Sequence, residues 1–150
     1  MATYNIDLTS KATRSFTEDL PKRLIASHRK DDPSVHPSAL KVLTRHLHSS
    51  RGNLLYSGIG GGNEMNTRYI RVIVDLAAGS KTDQDKQGLM KRTLQCCIDY
   101  QGKHAKDCEF EVRINEVNEG NVLRMCPEPA SKGRSHRSSE GPLPHLPEVR

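Results

Sequence analysis

The sequence predicts an α+β fold in which two tandem β-α-β units place four strands in one mixed sheet with both helices on one face. Three observations carry that prediction: a strand-like apolar pattern that occurs twice, a helix-start signal after each, and one constant spacing between matching features. Asp7 and Asp75 stand 68 residues apart, as do Gly52 and Gly120, and Arg45 and Arg113. Isolated motif matches would not keep one phase over so many features, so the chain reads as an internal duplication.

The first unit opens with Tyr4-Asn5-Ile6-Asp7-Leu8, which alternates apolar and polar side chains as a strand buried on one face does. A polar loop then reaches Ser15-x-x-Glu18, the pattern of a capping box, ahead of Leu20, Leu24 and Ile25. Pro21 fits the resulting helix only if that helix begins near Thr17. A second strand is expected from Ala39 to His48, closed by Gly52-Asn53-Leu54-Leu55.

The second unit opens with Ile70-Arg71-Val72-Ile73-Val74-Asp75-Leu76, a more apolar strand that reads as deeply buried. Thr82-x-x-Asp85 is a weaker helix-start signal, followed by Leu89, Met90, Leu94 and Ile98. Its last strand is expected from Cys108 to Val117, closed by Gly120-Asn121-Val122-Leu123. A β-α-β connection within one sheet is right-handed and leaves its strands parallel. Because Ile70 to Leu76 reads as apolar on both faces, the face without helices is expected to be covered by other subunits, in a homotrimer with its sheets turned inward.

The folded domain is expected over residues 1–126, with repeats at about 2–58 and 68–124. The remainder, 127–150, holds five prolines and few apolar residues, and it cannot bury enough surface to offset its chain entropy. A disordered tail is the expectation there. Of the net charge of +5, the tail supplies only +1, through Lys132, Arg134, Arg137 and Arg150 against Glu128, Glu140 and Glu148. The folded part is therefore basic, which suits nucleic acid or a small carboxylate. With two Phe and no Trp, the chain lacks an aromatic strand on which bases could stack, and the small carboxylate is the better fit.

Cys96, Cys97, Cys108 and Cys126 form no Cys-x-x-Cys pair, so they read as reduced thiols and not as a disulfide framework or a zinc site. His46 and His48 alternate on a strand, but two histidines without a carboxylate do not make a metal site. No apolar segment resembles a secretory signal or a membrane span, and the expected compartment is the cytoplasm.

Ala78-Gly79-Ser80-Lys81-Thr82-Asp83-Gln84-Asp85-Lys86-Gln87 resembles the Gly-Arg-Ser-x-x-x-Lys loop and helix start of 4-oxalocrotonate tautomerase, with Lys81 where that family has arginine. Glu111 to Glu116, running into Val117 and Gly120-Asn121, resembles the second strand of the same unit. The fused length and the join Gly52-Asn53-Leu54-Leu55-Tyr56-Ser57-Gly58 are similar to the cis-3-chloroacrylic acid dehalogenase and malonate semialdehyde decarboxylase branches of the tautomerase superfamily. The resemblance runs from Ala2 to about Arg124 and implies a tautomerase-type fold and catalysis without a cofactor, by an N-terminal amine in a pocket. The family's amine is prolyl; here, once Met1 is removed, it is the primary amine of Ala2.

By the same resemblance, His28 stands where the dehalogenase holds a substrate carboxylate, and Glu116 where it activates water. Lys81 is the cation left to bind a carboxylate, with Arg113 and Arg124 next in line. The dehalogenase arginine pair is replaced by Ala77 or Ala78 and Ser80 or Lys81. Dehalogenation and decarboxylation lean on those arginines, whereas keto-enol tautomerisation needs one base near neutrality and one cation. The expected activity is thus tautomerisation of an enol or dienol form of a 2-oxo acid. Two alternatives stay open: a related hydratase, dehalogenase or decarboxylase, and a family member or ferredoxin-like protein that binds without catalysing. Three of the six site residues also have a plain structural reading, His28 as a helix C-terminal histidine favoured by the dipole, Glu116 as a solvated strand end and Ala2 as an ordinary N-terminus.

Overall fold

The computed structural model describes residues 2–47, 67–125 and Pro127. His48, Cys126, the Gly52-Asn53 junction and the rest of the expected tail lie outside them. Strand β1 (Ala2–Thr9) leads through a single 3-10 turn and a loop to helix α1 (Asp19–Asp31), and a second such turn enters strand β2 (Leu40–Leu47). Strand β3 (Arg68–Ala77), helix α2 (Asp83–Gln101) and strand β4 (Cys108–Val117) repeat the order. The sheet runs β2-β1-β3-β4, parallel within each repeat and antiparallel where β1 meets β3.

Strand periodicity assigns the two faces. Tyr4, Ile6 and Leu8 of β1 and Ile70, Val72, Val74 and Leu76 of β3 are buried, and they form one core with Leu20 and Leu24 of α1 and Leu89, Cys97 and Tyr100 of α2. Both helices therefore lie on one face, as expected. The buried residues of α1 are Leu20, Leu24 and His28, a stripe spaced by four residues that sets the histidine against the sheet. Arg92 of α2 pairs with Asp31 of α1 and ties the two helices together.

The opposite face is less apolar than expected. On β3 it presents Tyr69, Arg71, Ile73 and Asp75, so only Ile73 continues the apolar run. Asp7, 1% exposed, lies beneath two guanidinium groups: Arg45 Nε donates to Oδ1 at 2.8 Å and Arg71 Nη2 to Oδ2 at 2.7 Å. Burial works against that charge, but the two arginines outweigh it and hold the carboxyl below its ordinary range. Asp75 accepts from Asn5 at 2.9 Å and from Asn115 at 3.0 Å.

Local signals were answered unequally. The capping box of the second repeat forms, with Asp85 N donating to Thr82 Oγ1 at 3.1 Å and Thr82 N to Asp85 Oδ2 at 3.3 Å. The stronger-looking Ser15/Glu18 box does not: α1 starts at Asp19 after Glu18, which makes no side-chain cap. A helix capped at Ser15 would put Pro21 well inside, where it lacks a donor and clashes with an earlier carbonyl; starting at Asp19 places it in the first turn. Arg45 and Arg113 also part company. Asp7 lies opposite Arg45, but Asp75 lies opposite Asn115, because the second crossover is two residues longer. Arg113 pairs with Glu111 instead, at 2.5 Å.

Among the described residues, Cys96, Cys97 and Cys108 are free. Burial pushes the Cys97 thiol up to about 12 and the Cys108 thiol up to about 11. No helix among these residues is long and apolar enough to cross a membrane.

Candidate functional site

Ala2, 3% exposed, starts β1 between Leu40 of β2 and Leu76 of β3. A cavity of about 220 Å³ opens there, lined by Ala2, Leu40 and Leu76 on the apolar side and by His28, Asp32 and Lys81 on the polar side. Three elements supply the polar groups. His28 comes from the buried stripe of α1, Asp32 caps that helix, and Lys81 comes from the turn between β3 and α2. That turn is tight, with Ser80 N and Oγ both donating to the Ala77 carbonyl, at 3.1 and 2.7 Å. Gly79 passes through it at φ +75°, a conformation that a side chain would strain.

A second cavity of about 290 Å³ shares His28, Asp32 and Lys81 with the first and adds Asp31, Asp85 and Arg92. The two are contiguous around the histidine. His28 is 8% exposed, and its Nδ1 lies 2.6 Å from the Tyr4 hydroxyl. Burial, and after it the nearby Lys81 cation, lower its pKa below the ordinary value, so the ring is neutral at pH 7. Asp32 has a lowered pKa because the Ser34 hydroxyl and backbone donate to it, and its carboxylate stays charged beside Lys81.

Of the six residues singled out from the sequence, the fold gathers Ala2, His28 and Lys81 around one cavity. Glu116 shares their face of the sheet, since Ala2 lies opposite Leu76 and Leu76 opposite Glu116. At two strand spacings, roughly 10 Å, it lines neither cavity, and Lys86 Nζ approaches its Oε1 at 2.9 Å. Arg113 lies on the face away from the helices, and Arg124 pairs with Glu119 at 2.8 Å beyond the end of β4. Sequence reasoning missed Tyr4, Asp31, Asp32 and Arg92. Asp31 and Asp32 follow His28 by three and four residues, a visible helical spacing, whereas nothing local marks Tyr4 or Arg92 as neighbours of the site. Among the described residues no group of three or more His, Cys, Asp or Glu is placed to hold a metal ion.

The fold is shared with solved structures at low sequence identity. It is similar to a 5-carboxymethyl-2-hydroxymuconate isomerase from Deinococcus radiodurans R1 at 11% identity and TM-score 0.66, over 83% of this chain and 88% of that one. It is similar to a fused 4-OT wild-type symmetric trimer at 18% identity and TM-score 0.59, over 80% of this chain and 89% of that one. N1, a member of the cis-3-chloroacrylic acid dehalogenase family, matches at 19% identity and TM-score 0.60, over 85% of each chain. No family model and no curated protein matches the sequence.

Proposed function

We propose that this chain is a cofactor-independent keto-enol tautomerase acting on the enol or dienol form of a 2-oxo acid, with the Ala2 amine as its base. The observation that supports this reading is the single cavity lined by Ala2, His28 and Lys81. Removal of Met1 exposes the amine. An α-amino group has an unperturbed pKa of about 7.7 to 8.0, and the apolar flank of Leu40 and Leu76 together with the Lys81 cation disfavours its charged form. The free amine accepts the enol hydroxyl proton, the C2 oxygen becomes a carbonyl, and the ammonium returns a proton to C3, so the enzyme ends as it began. Lys81 holds the substrate carboxylate as a point charge, without the bidentate fork of an arginine.

The fused 4-OT neighbour is a symmetric trimer, and we carry a homotrimer over to this chain as part of the same proposal. Arg113, Arg124 and Glu116 line neither cavity, and Glu116 is paired with Lys86. A binding role without catalysis is the second reading. The primary amine in place of a prolyl one, and the Asp32 carboxylate competing for Lys81, favour it.

The test combines the mass of the mature N-terminus with the decay of the enol absorbance of phenylenolpyruvate. Methionine-free protein that leaves the decay at its rate in buffer would exclude the tautomerase for this substrate class and leave the binding module.

A further inference from the structure

Tyr4 and His28 form a polar contact under the sheet at the edge of the cavity. Tyr4 is 1% exposed, and its ring meets the imidazole edge to face, with centroids 5.8 Å apart and planes at 87°. The hydroxyl lies 2.6 Å from Nδ1, and among the described residues it has no other hydrogen-bond partner. Donor accounting then sets the direction of the bond. If Nδ1 carried the proton and donated, the phenolic proton would be left buried with nothing to bond, a cost that folded cores avoid. If Tyr4 donates, Nδ1 is the acceptor, and a neutral imidazole must carry its proton on Nε2. Nδ1 is taken up by the buried Tyr4 hydroxyl while the residue lines both cavities, which leaves Nε2 as the ring nitrogen available to them.

We propose that Tyr4 is a positioning residue that locks His28 in its neutral Nε2-H tautomer, so that the imidazole presents a fixed hydrogen-bond donor to the C2 oxygen of the substrate. The target of the donor rests on the tautomerase reading; the locked tautomer does not. The division of labour follows from the charges present. Lys81, which lines the same two cavities, takes the carboxylate, and the Ala2 amine takes the proton. The C2 oxygen, on which negative charge develops as its proton leaves, needs a donor that does not compete for that proton. An imidazole with a bare Nε2 would compete as a second base; one with Nε2-H stabilises the oxygen instead. Asp31, Asp32 and Arg92 also face the ring from the two helices and the cap of α1. Among the described residues they make no hydrogen bond to it, so the phenol is the partner that sets the tautomer.

Long-range proton-nitrogen spectra of ¹⁵N-labelled full-length protein at pH 7 read the ring directly. The expected result for the native chain is an unprotonated Nδ1 and a protonated Nε2, and in Tyr4→Phe a mixture of the two tautomers. A native ring protonated on Nδ1, or on both nitrogens, overturns the proposal. With phenylenolpyruvate, His28→Ala should lose roughly hundredfold in kcat, the scale of one oxyanion donor. Tyr4→Phe should lose less, and in both variants KM should hardly move. His28→Gln, whose amide can still donate, should recover part of the loss. A rise in KM with kcat intact would place His28 on the carboxylate and overturn the donor role. If Tyr4→Phe does not fold, the native spectrum and the two His28 variants decide the matter. An Nε2-H ring in a protein without turnover overturns the tautomerase reading and the donor's target while upholding the lock.

Discussion

The two ends of the sheet derive from the same position of the repeat, yet one holds a cavity and the other is closed. Ala2 and Ile70 are 68 residues apart in sequence. At the Ala2 end the strand begins beside Lys81, His28 and Asp32. At the Ile70 end, where exposure is 0%, hydrogen bonds fill the corresponding space. The Thr9 hydroxyl donates to the Thr67 carbonyl at 2.7 Å, the Tyr100 hydroxyl accepts from Arg14 N at 2.8 Å, and the Gln101 amide donates to the Ala12 carbonyl at 2.6 Å. The two repeats match in the strand and differ in what precedes it. Thr67 precedes β3, so its start has no free amine to offer, and packing has closed it.

The sharpest way to break this contrast is to give β1 a preceding residue as well. Protein that keeps Met1 should lose all measurable enol turnover; turnover equal to that of the methionine-free form would end the amine mechanism. The closed end should respond in stability alone. Gln101→Ala removes a fully buried side chain and orphans the Ala12 carbonyl, an expected loss of about 2 kcal/mol in chemical denaturation. Unchanged kcat in the surviving folded protein would sharpen the contrast, and a matching drop in kcat would blur it.

At the open end, Lys81→Ala should raise KM about tenfold, equivalent to about 1.4 kcal/mol for a partly screened ion pair, with kcat nearly unchanged. Lys81→Arg should bind as well or better, since its fork adds a second hydrogen bond. An unchanged KM in Lys81→Ala would move the carboxylate elsewhere. The smallest effects compare the two helix starts. Thr82→Ala should cost about 1 kcal/mol of stability, whereas Ser15→Ala, which removes no cap, should be close to neutral in the same melt.

Much of the architecture was legible because it is local and periodic. β4 falls where alternation put it, from Cys108 to Val117, and β1 and β3 extend the apolar runs by a few residues. What failed was decided by competition or by length. Pro21 overrode the Ser15/Glu18 signal, and two extra residues in the second crossover slid Arg113 away from Asp75. In the site, Ala2, His28 and Lys81 came from the resemblance to the tautomerase superfamily, which places each on its own element. Tyr4 and Arg92 could not be read so, because their roles depend on which helix packs across which strand. The apolar reading of both faces of β3 erred because Arg71 and Asp75 were counted into an apolar run when they belong, with Tyr69 and Ile73, to one polar side.

The reciprocal bonds between Thr82 and Asp85 also bear on the cation beside them. Lys81 is the residue just before the capped position, so its main chain is held by the same closure that starts α2. If Lys81 holds the substrate carboxylate as proposed, grip on it and fraying of that first turn are two readings of one equilibrium. A bound acid should slow amide hydrogen exchange from Lys81 to Lys86, and warming that loosens the turn should weaken the grip well before the sheet itself gives way.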